Sequence, residues 1–229
     1  DYSADARLMT GGNATVMAAA AGVASEYFGA SSVGIISADN AGGNSSRNAL
    51  TAALDLLGIE YVSVTGGDNE TDAGFLGLMR QASAGNPDLI LSLYDEAGCI
   101  GLIRGRVSLA IDTPVLSTGI CAAGEVIDQV GDDAIGWYFM GVATEDDTPQ
   151  AEIVREIMAP VLDVPLDEVD PASFGLGGLG MIMAMSLATY ANEIAADGSE
   201  VTGATLYEFL DTGSGLALWP GGAPVQCGA

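Results

Sequence analysis

Along the first two thirds of the chain, short apolar runs alternate with longer stretches whose apolar residues recur every three or four positions. A run at 33–39 (VGIISAD) ends in a glycine-bearing turn, after which Leu50, Ala53, Leu54 and Leu57 recur with helical spacing. The unit reads strand, loop, helix. Asn44, Ser45 or Ser46 is expected to cap that helix and Gly58 to end it. An alanine-rich helix over 14–28 should precede the strand, and 60–65 (EYVSVT), alternating and β-branched, should form a second one. Asp72 is the expected cap of a helix that carries Phe75, Leu76, Met79 and Ala82 and closes at Gly85. The run 89–94 (LILSLY) suits a strand buried on both faces. Helices at 97–110 and 123–130 and strands at 114–118 and 136–142 continue the pattern. It predicts an α/β fold: a parallel sheet with helices on both faces, joined by right-handed crossovers. Ligands of such sheets bind where loops leave the carboxyl ends of strands, which directs attention first to Asp39 and the turn behind it.

From Glu145 the rhythm changes. The polar segment EDDTPQ suits a linker, and Thr148-Pro149 should open a helix with Ile153, Val154, Ile157 and Met158 along one face. A turn-rich piece at 164–173 leads to a helix over 174–196, then a helix over 202–210 and a glycine-rich tail. No strand comparable to the earlier ones is expected after Val142. The run 175–180 (GLGGLG) fits the spacing of a dinucleotide fingerprint, yet lacks the strand that must precede one, so its glycines are expected to let a helix pack closely. Residues 174–191 are uncharged and reach the lower length bound of a membrane span. Their glycines, Ser186, Thr189 and the lack of basic flanks favour a buried core helix instead.

Charge narrows the function. The chain has 31 acidic residues against six arginines, with no lysine or histidine, and a formal charge of -25. Nucleic acid and anionic membrane surfaces are poor partners for it, since both are held by basic side chains. An acidic surface of this kind reads as a solubility adaptation. Without histidine or lysine there is no Ser-His or Ser-Lys arrangement, and an enzyme is not expected. Asp132-Asp133 and Glu145-Asp146-Asp147 lack the spacing of a calcium loop and read as solvated faces and caps; neither metal nor cofactor is expected. Cys99 and Cys121 both fall just beyond strand ends, which leaves either a disulfide between two loops or two buried thiols, with Cys227 unpaired. The first residues show neither an initiator Met nor a signal peptide, so the chain reads as a mature product or a fragment.

Several stretches together resemble the type I periplasmic binding fold, as in substrate-binding proteins of branched-chain amino acid type ABC transporters. They are VGIISADNAGG, similar to a strand followed by Asp-x-x-Tyr-Gly; the acidic loop with Asp72 before a helix; NPDLILSLYDEAG; TPVLSTGIC; and FGLGGLGMIMAMSLATYA ahead of TGATLYEFL. The resemblance covers most of 14–218. It implies two α/β lobes hinged around a cleft, with 14–145 as a complete second lobe, 146–218 as the returning helical part of the first, and 219–229 as a tail. The sheet-forming start of the first lobe is not in this sequence.

By position the resemblance places at the rim of the interlobe cleft Asp39, Asn40, Gly42 and Gly43, then Tyr94, Asp95 and Glu96, then Thr118, Gly119 and Ile120. Tyr94 would stack on or hydrogen-bond a ligand, and Asp95 or Glu96 would pair with an ammonium. Each is equally suited to cap a helix at a strand end. The family's aromatic falls on Gly42, and Gly119 stands where amino-acid binders often place a carboxylate. Both departures disfavour branched-chain amino acids and leave another amino acid, an amide, a peptide or a similar small polar solute. The resemblance thus implies an extracytoplasmic solute-binding protein, periplasmic or extracellular, that serves an ABC permease without a membrane span of its own, a lipid anchor lying, if there is one, outside this sequence. The competing expectations are a ligand-sensing receptor domain of the same fold and a Rossmann-like nucleotide-dependent enzyme.

Overall fold

The computed structural model describes residues 12–141, 149–170, 177–219 and 225–226. The described residues fall into two compact units, divided after Gly141.

The first unit is built on a five-stranded parallel sheet of β1 (Ser32–Ala38), β2 (Glu60–Gly66), β3 (Leu89–Leu93), β4 (Val115–Thr118) and β5 (Trp137–Met140), in the order β2-β1-β3-β4-β5. Because successive strand residues face opposite sides, the buried run of β1 serves two cores at once. Val33 and Ile35 join Leu89, Leu91 and Leu116 on one face, where α1 (Gly12–Glu26) and α2 (Ala41–Leu57) supply Met17, Leu50 and Leu54. Ile36 joins Ile90 and Val115 on the other, beneath α3 (Asp72–Ala82), α4 (Glu96–Ser108) and α5 (Gly124–Val130) with Phe75, Met79, Leu102 and Val126. Each fully buried Leu or Ile in these clusters contributes about 1.5–3 kcal/mol. β1 lies so close to the end of α3 that a Cβ on Gly34 would collide with the Ala82 carbonyl. The expected parallel sheet with helices on both faces is present.

Local chemistry corrects several boundaries. Helix α2 starts at Ala41, and its cap is Asn40, whose Oδ1 accepts the Gly43 N–H at 2.7 Å, in place of Asn44, Ser45 or Ser46. Its end at Gly58 is as expected, with φ +70°. Thr71, not Asp72, caps α3: its hydroxyl accepts the Gly74 N–H, and Asp72 becomes the first helical residue, well placed against the helix dipole. That helix ends at Ala82, short of Gly85, which sits in the following turn at φ +86°.

The second unit contains α6 (Pro149–Leu162), α7 (Gly177–Ala196) and α8 (Gly203–Thr212), and Thr202 caps α8 through a reciprocal bond with Thr205. Two short antiparallel strands, β6 (Ser214–Leu216) and β7 (Val225–Gln226), follow Val142; at three and two residues they are not comparable to the strands of the parallel sheet. Among the described residues Val154, Met158 and Val169 form its buried hydrophobic cluster; Ile153, expected on one face of α6 with Val154, Ile157 and Met158, is exposed. Helix α7 buries Gly178, Ser186, Tyr190 and Ile194 while Met183 is exposed, so the expected core helix is covered along one stripe only. A Cβ on Gly178 or Gly180 would meet no atom within 4 Å among the described residues. Gly175 and Leu176 of the glycine run and the acidic triplet at 145–147 lie outside the described residues. Among the described residues no helix is long and apolar enough to cross a membrane.

Candidate functional site

The strand order puts a topological switch at β1 and β3. From β1 the chain leaves through α2 on one face, and from β3 it leaves through α4 on the other. Loops that diverge in this way open a crevice at the carboxyl edge of the sheet, the usual ligand position in an open parallel sheet of this order.

On the β1 side, Asp39 is exposed, its backbone N–H donates to the Gly66 carbonyl at 2.7 Å, and its Oδ1 accepts from Asn44 Nδ2 at 3.2 Å. Asn40 uses both ends of its amide: Oδ1 caps α2, and Nδ2 donates to Asp68 Oδ1 at 2.6 Å. Gly42 is exposed in the first turn of α2. Gly43 is buried, and a Cβ there would collide with the Ala38 carbonyl, so the tight start of the helix requires it. Arg47 reaches back from α2 to Thr65 Oγ1 at 2.7 Å and to Asn44 Oδ1 at 2.6 Å.

On the β3 side the structure changes the expected role of Tyr94. Its side chain is 1% exposed, packs edge-on against Phe75 with ring centroids 5.5 Å apart, and donates its hydroxyl to the Gly67 carbonyl at 3.0 Å. No ring face is offered for stacking, and the hydroxyl is committed to the β2–α3 loop. The same loop is held from within, since Gly67 N–H donates to Glu70 Oε1 at 2.7 Å. Burial, followed by the negative charges of Glu70, Asp68 and Asp95, pushes the Tyr94 phenol up to about 12. Asp95 occupies the cap position of α4 but makes no side-chain capping bond and is exposed. Glu96 is the first residue of α4.

On the β4 side, Thr118 ends the strand with its Oγ1 buried and without a hydrogen-bond partner among the described residues. Gly119 is buried beside β5, where a Cβ would come within 2.7 Å of the Met140 carbonyl. Close approach of two backbones therefore explains this glycine. Ile120 is half-buried against the core. Cys99 of α4 and Cys121 of the adjoining 3-10 turn (Gly119–Ala122) form a disulfide with Cα atoms 5.4 Å apart, which decides between the two expectations for this pair. It links the segments that follow β3 and β4.

The switch point thus gathers Asp39, Asn40, Asp95 and the first residue of α4 at one edge, with Thr118 on the next strand. Sequence reading missed Asn44, Arg47, Asp68 and Glu70. Their polar spacing is not distinctive, and only the run of acids and amides at 67–72 could have marked that loop. Among the described residues no three acidic or cysteine side chains are grouped to hold a metal ion.

The family described as periplasmic binding protein matches residues 7–218. A search of curated proteins finds no match. Among solved structures, the chain resembles a leucine-binding protein from Thermotoga maritima with 19% identity and a TM-score of 0.71, covering 91% of this chain and 57% of that one. It also resembles an R. palustris ABC transporter solute-binding protein in complex with 4-hydroxybenzoate, with 18% identity, a TM-score of 0.66 and coverages of 94% and 56%. A fatty acid ABC transporter substrate-binding protein from Thermomonospora curvata gives 15% identity, a TM-score of 0.66 and coverages of 93% and 54%. The chain therefore spans little more than half the length of these relatives.

Proposed function

The chain belongs to the periplasmic binding protein family, and from that premise we propose that it is an extracytoplasmic solute-binding protein that delivers a small polar ligand, an amino acid, an amide or a similar solute, to an ABC permease. It binds this ligand without transforming it. One observation carries the choice of ligand: the crevice between β1 and β3 has the exposed carboxylates of Asp39 and Asp95 on its two sides, with Asp68 and Glu70 in the next loop. Arg47, the cation in this network, has only neutral partners among the described residues. Such an edge favours a ligand that brings N–H donors over one whose only polar group is a carboxylate.

In this reading the carboxylates of Asp39 and Asp95 face the ligand, Asn40, with both ends of its amide engaged, holds the turn beside them, and Thr118, whose hydroxyl is buried, stands at the neighbouring strand end. Tyr94, Gly43 and Gly119 shape the edge. Glu96 and Gly42 lie within the same turns and contribute through their backbone. In a two-lobed fold of this kind a ligand that touches both lobes favours the closed state by its differential affinity.

A thermal-shift screen of amino acids, amides, polyamines, aromatic carboxylates and fatty acids tests the proposal. Stabilisation by at least one nitrogen-bearing solute is expected, and it should rise with concentration as mass action requires. Stabilisation by carboxylates alone would overturn the ligand class. No shift across the panel would overturn solute binding.

A further inference from the structure

We propose that Arg47 and Asn44 form a positioning relay that sets the orientation of Asp39 and so gives the site its preference for ligands with an N–H donor; the inference rests on the solute-binding reading above. Arg47 is half-buried and fixed at three points. Its Nη1 donates to Thr65 Oγ1 on β2 at 2.7 Å and lies 3.5 Å from Ser37 Oγ on β1, and its Nη2 donates to Asn44 Oδ1 at 2.6 Å. Asn44 passes the constraint on, since its Nδ2 donates to Asp39 Oδ1 at 3.2 Å.

The Asn44 amide can face only one way. Its oxygen must meet the guanidinium and its nitrogen the carboxylate, because a flipped amide would set donor against donor and acceptor against acceptor. A rigid guanidinium fork anchored on two strands thus holds a neutral amide, and the amide holds one oxygen of an exposed carboxylate at the switch point. The relay leaves Asp39 Oδ2 unbonded by Asn44 and free to accept from a ligand. A direct Arg47–Asp39 ion pair would neutralise that charge, whereas the interposed amide orients it and keeps it available. The spacing Asp39, Asn44, Arg47 also suits the fold: the last two lie three residues apart on one face of α2, directly behind the strand end.

Three probes built on one polar side chain separate positioning from general support: L-serine, ethanolamine, which lacks the carboxylate, and 3-hydroxypropanoate, which lacks the ammonium. Calorimetric titration of the 229-residue chain should show binding of serine or ethanolamine. Asn44→Ala and Arg47→Met should each weaken that binding about tenfold, the scale of one charge-assisted hydrogen bond, and leave any binding of 3-hydroxypropanoate unchanged. Arg47→Lys should not restore it, because a point charge cannot hold three partners in a plane. Asn44→Asp keeps the bond from Arg47 but repels Asp39, so it should lose more than Asn44→Ala. Circular dichroism identifies any variant that fails to fold, and the Lys and Asp variants then carry the comparison. Equal losses for all three probes, or unchanged affinity, overturn the relay. Binding of 3-hydroxypropanoate alone overturns the donor preference while solute binding stands. If none of the three binds, the same variants are titrated with the nitrogen-bearing solute that the screen returns, where unchanged affinity overturns the relay; if the screen is also silent, the solute-binding reading itself fails.

Discussion

The two edges of the sheet use the same residue type in opposite ways. At the amino edge, Asp88 Oδ2 accepts from the backbone N–H and hydroxyl of Ser31 at 2.9 Å each and from those of Ser32 at 3.0 and 3.1 Å. These bonds, the Ser31 backbone first, hold its carboxyl down at about 2. At the carboxyl edge, Asp39 receives one side-chain bond from the described residues and Asp95 makes no capping bond. A carboxylate supplied with four donors ties β1 to β3 and has little left to offer a ligand. One with few donors does little for the fold and can be given to a solute. In a chain so rich in acids, the number of donors a carboxylate receives, rather than its residue type, separates those that hold the fold from those left open.

The largest expected effect tests whether the carboxyl edge is as rigid as the amino edge. Replacing Cys99 and Cys121 together by Ala should cost about 3 kcal/mol in urea unfolding, the chain-entropy value for a loop of 22 residues. A loss below about 1 kcal/mol would mean that packing alone holds the segments after β3 and β4.

Asp88→Asn should lower the melting temperature at neutral pH and flatten its acid dependence. The sign follows from the direction of the shift. A carboxyl held below its unfolded value contributes stability that is present above about pH 4 and lost as the pH falls toward 2. Melting curves from pH 6 to pH 2 check this, and identical slopes for the two proteins would break the contrast between the edges.

Tyr94→Phe should cost about 1 kcal/mol by releasing the β2–α3 loop from β3. In the parent protein the phenol titrates near 12, above its unfolded value, so stability is fully present below about pH 10 and declines as the pH rises from there toward 12. Ultraviolet titration of the tyrosines alongside alkaline unfolding measures both. Asp95→Asn should have the smallest effect on folding, within about 0.5 kcal/mol, since Asn is an equally good cap and no side-chain bond is lost. The same variant should weaken whichever nitrogen-bearing solute the screen returns. A large stability loss would place Asp95 with Asp88 among the structural carboxylates.

Much of the fold was legible because its signal is local. Strand 60–65 was observed as Glu60–Gly66 and strand 89–94 as Leu89–Leu93, and the helix after β1 ends at Gly58 as read, since period and glycine chemistry are properties of neighbouring residues. Caps were less legible. Asn40 and Asn44 offer the same amide, and only the backbone turn at Gly43 decides which one accepts its N–H. The short pair β6 and β7 was not legible at all, because strands of three and two residues carry too few alternations to show a period.

The sequence by itself determined the alternation of strands and helices, the exclusion of histidine and lysine chemistry, and the positions at which the chain leaves each strand. Those follow from composition and short-range pattern. Tertiary structure alone decided the strand order that makes β1 and β3 the switch point, the burial of Tyr94, the joining of Cys99 to Cys121, and the network from Arg47 through Asn44 to Asp39 with Thr65 behind it. Arg47 and Thr65 are 18 residues apart, and Asn40 and Asp68 are 28 apart. Contacts at such separations depend on which strands lie side by side, and residue spacing along the chain carries no record of that.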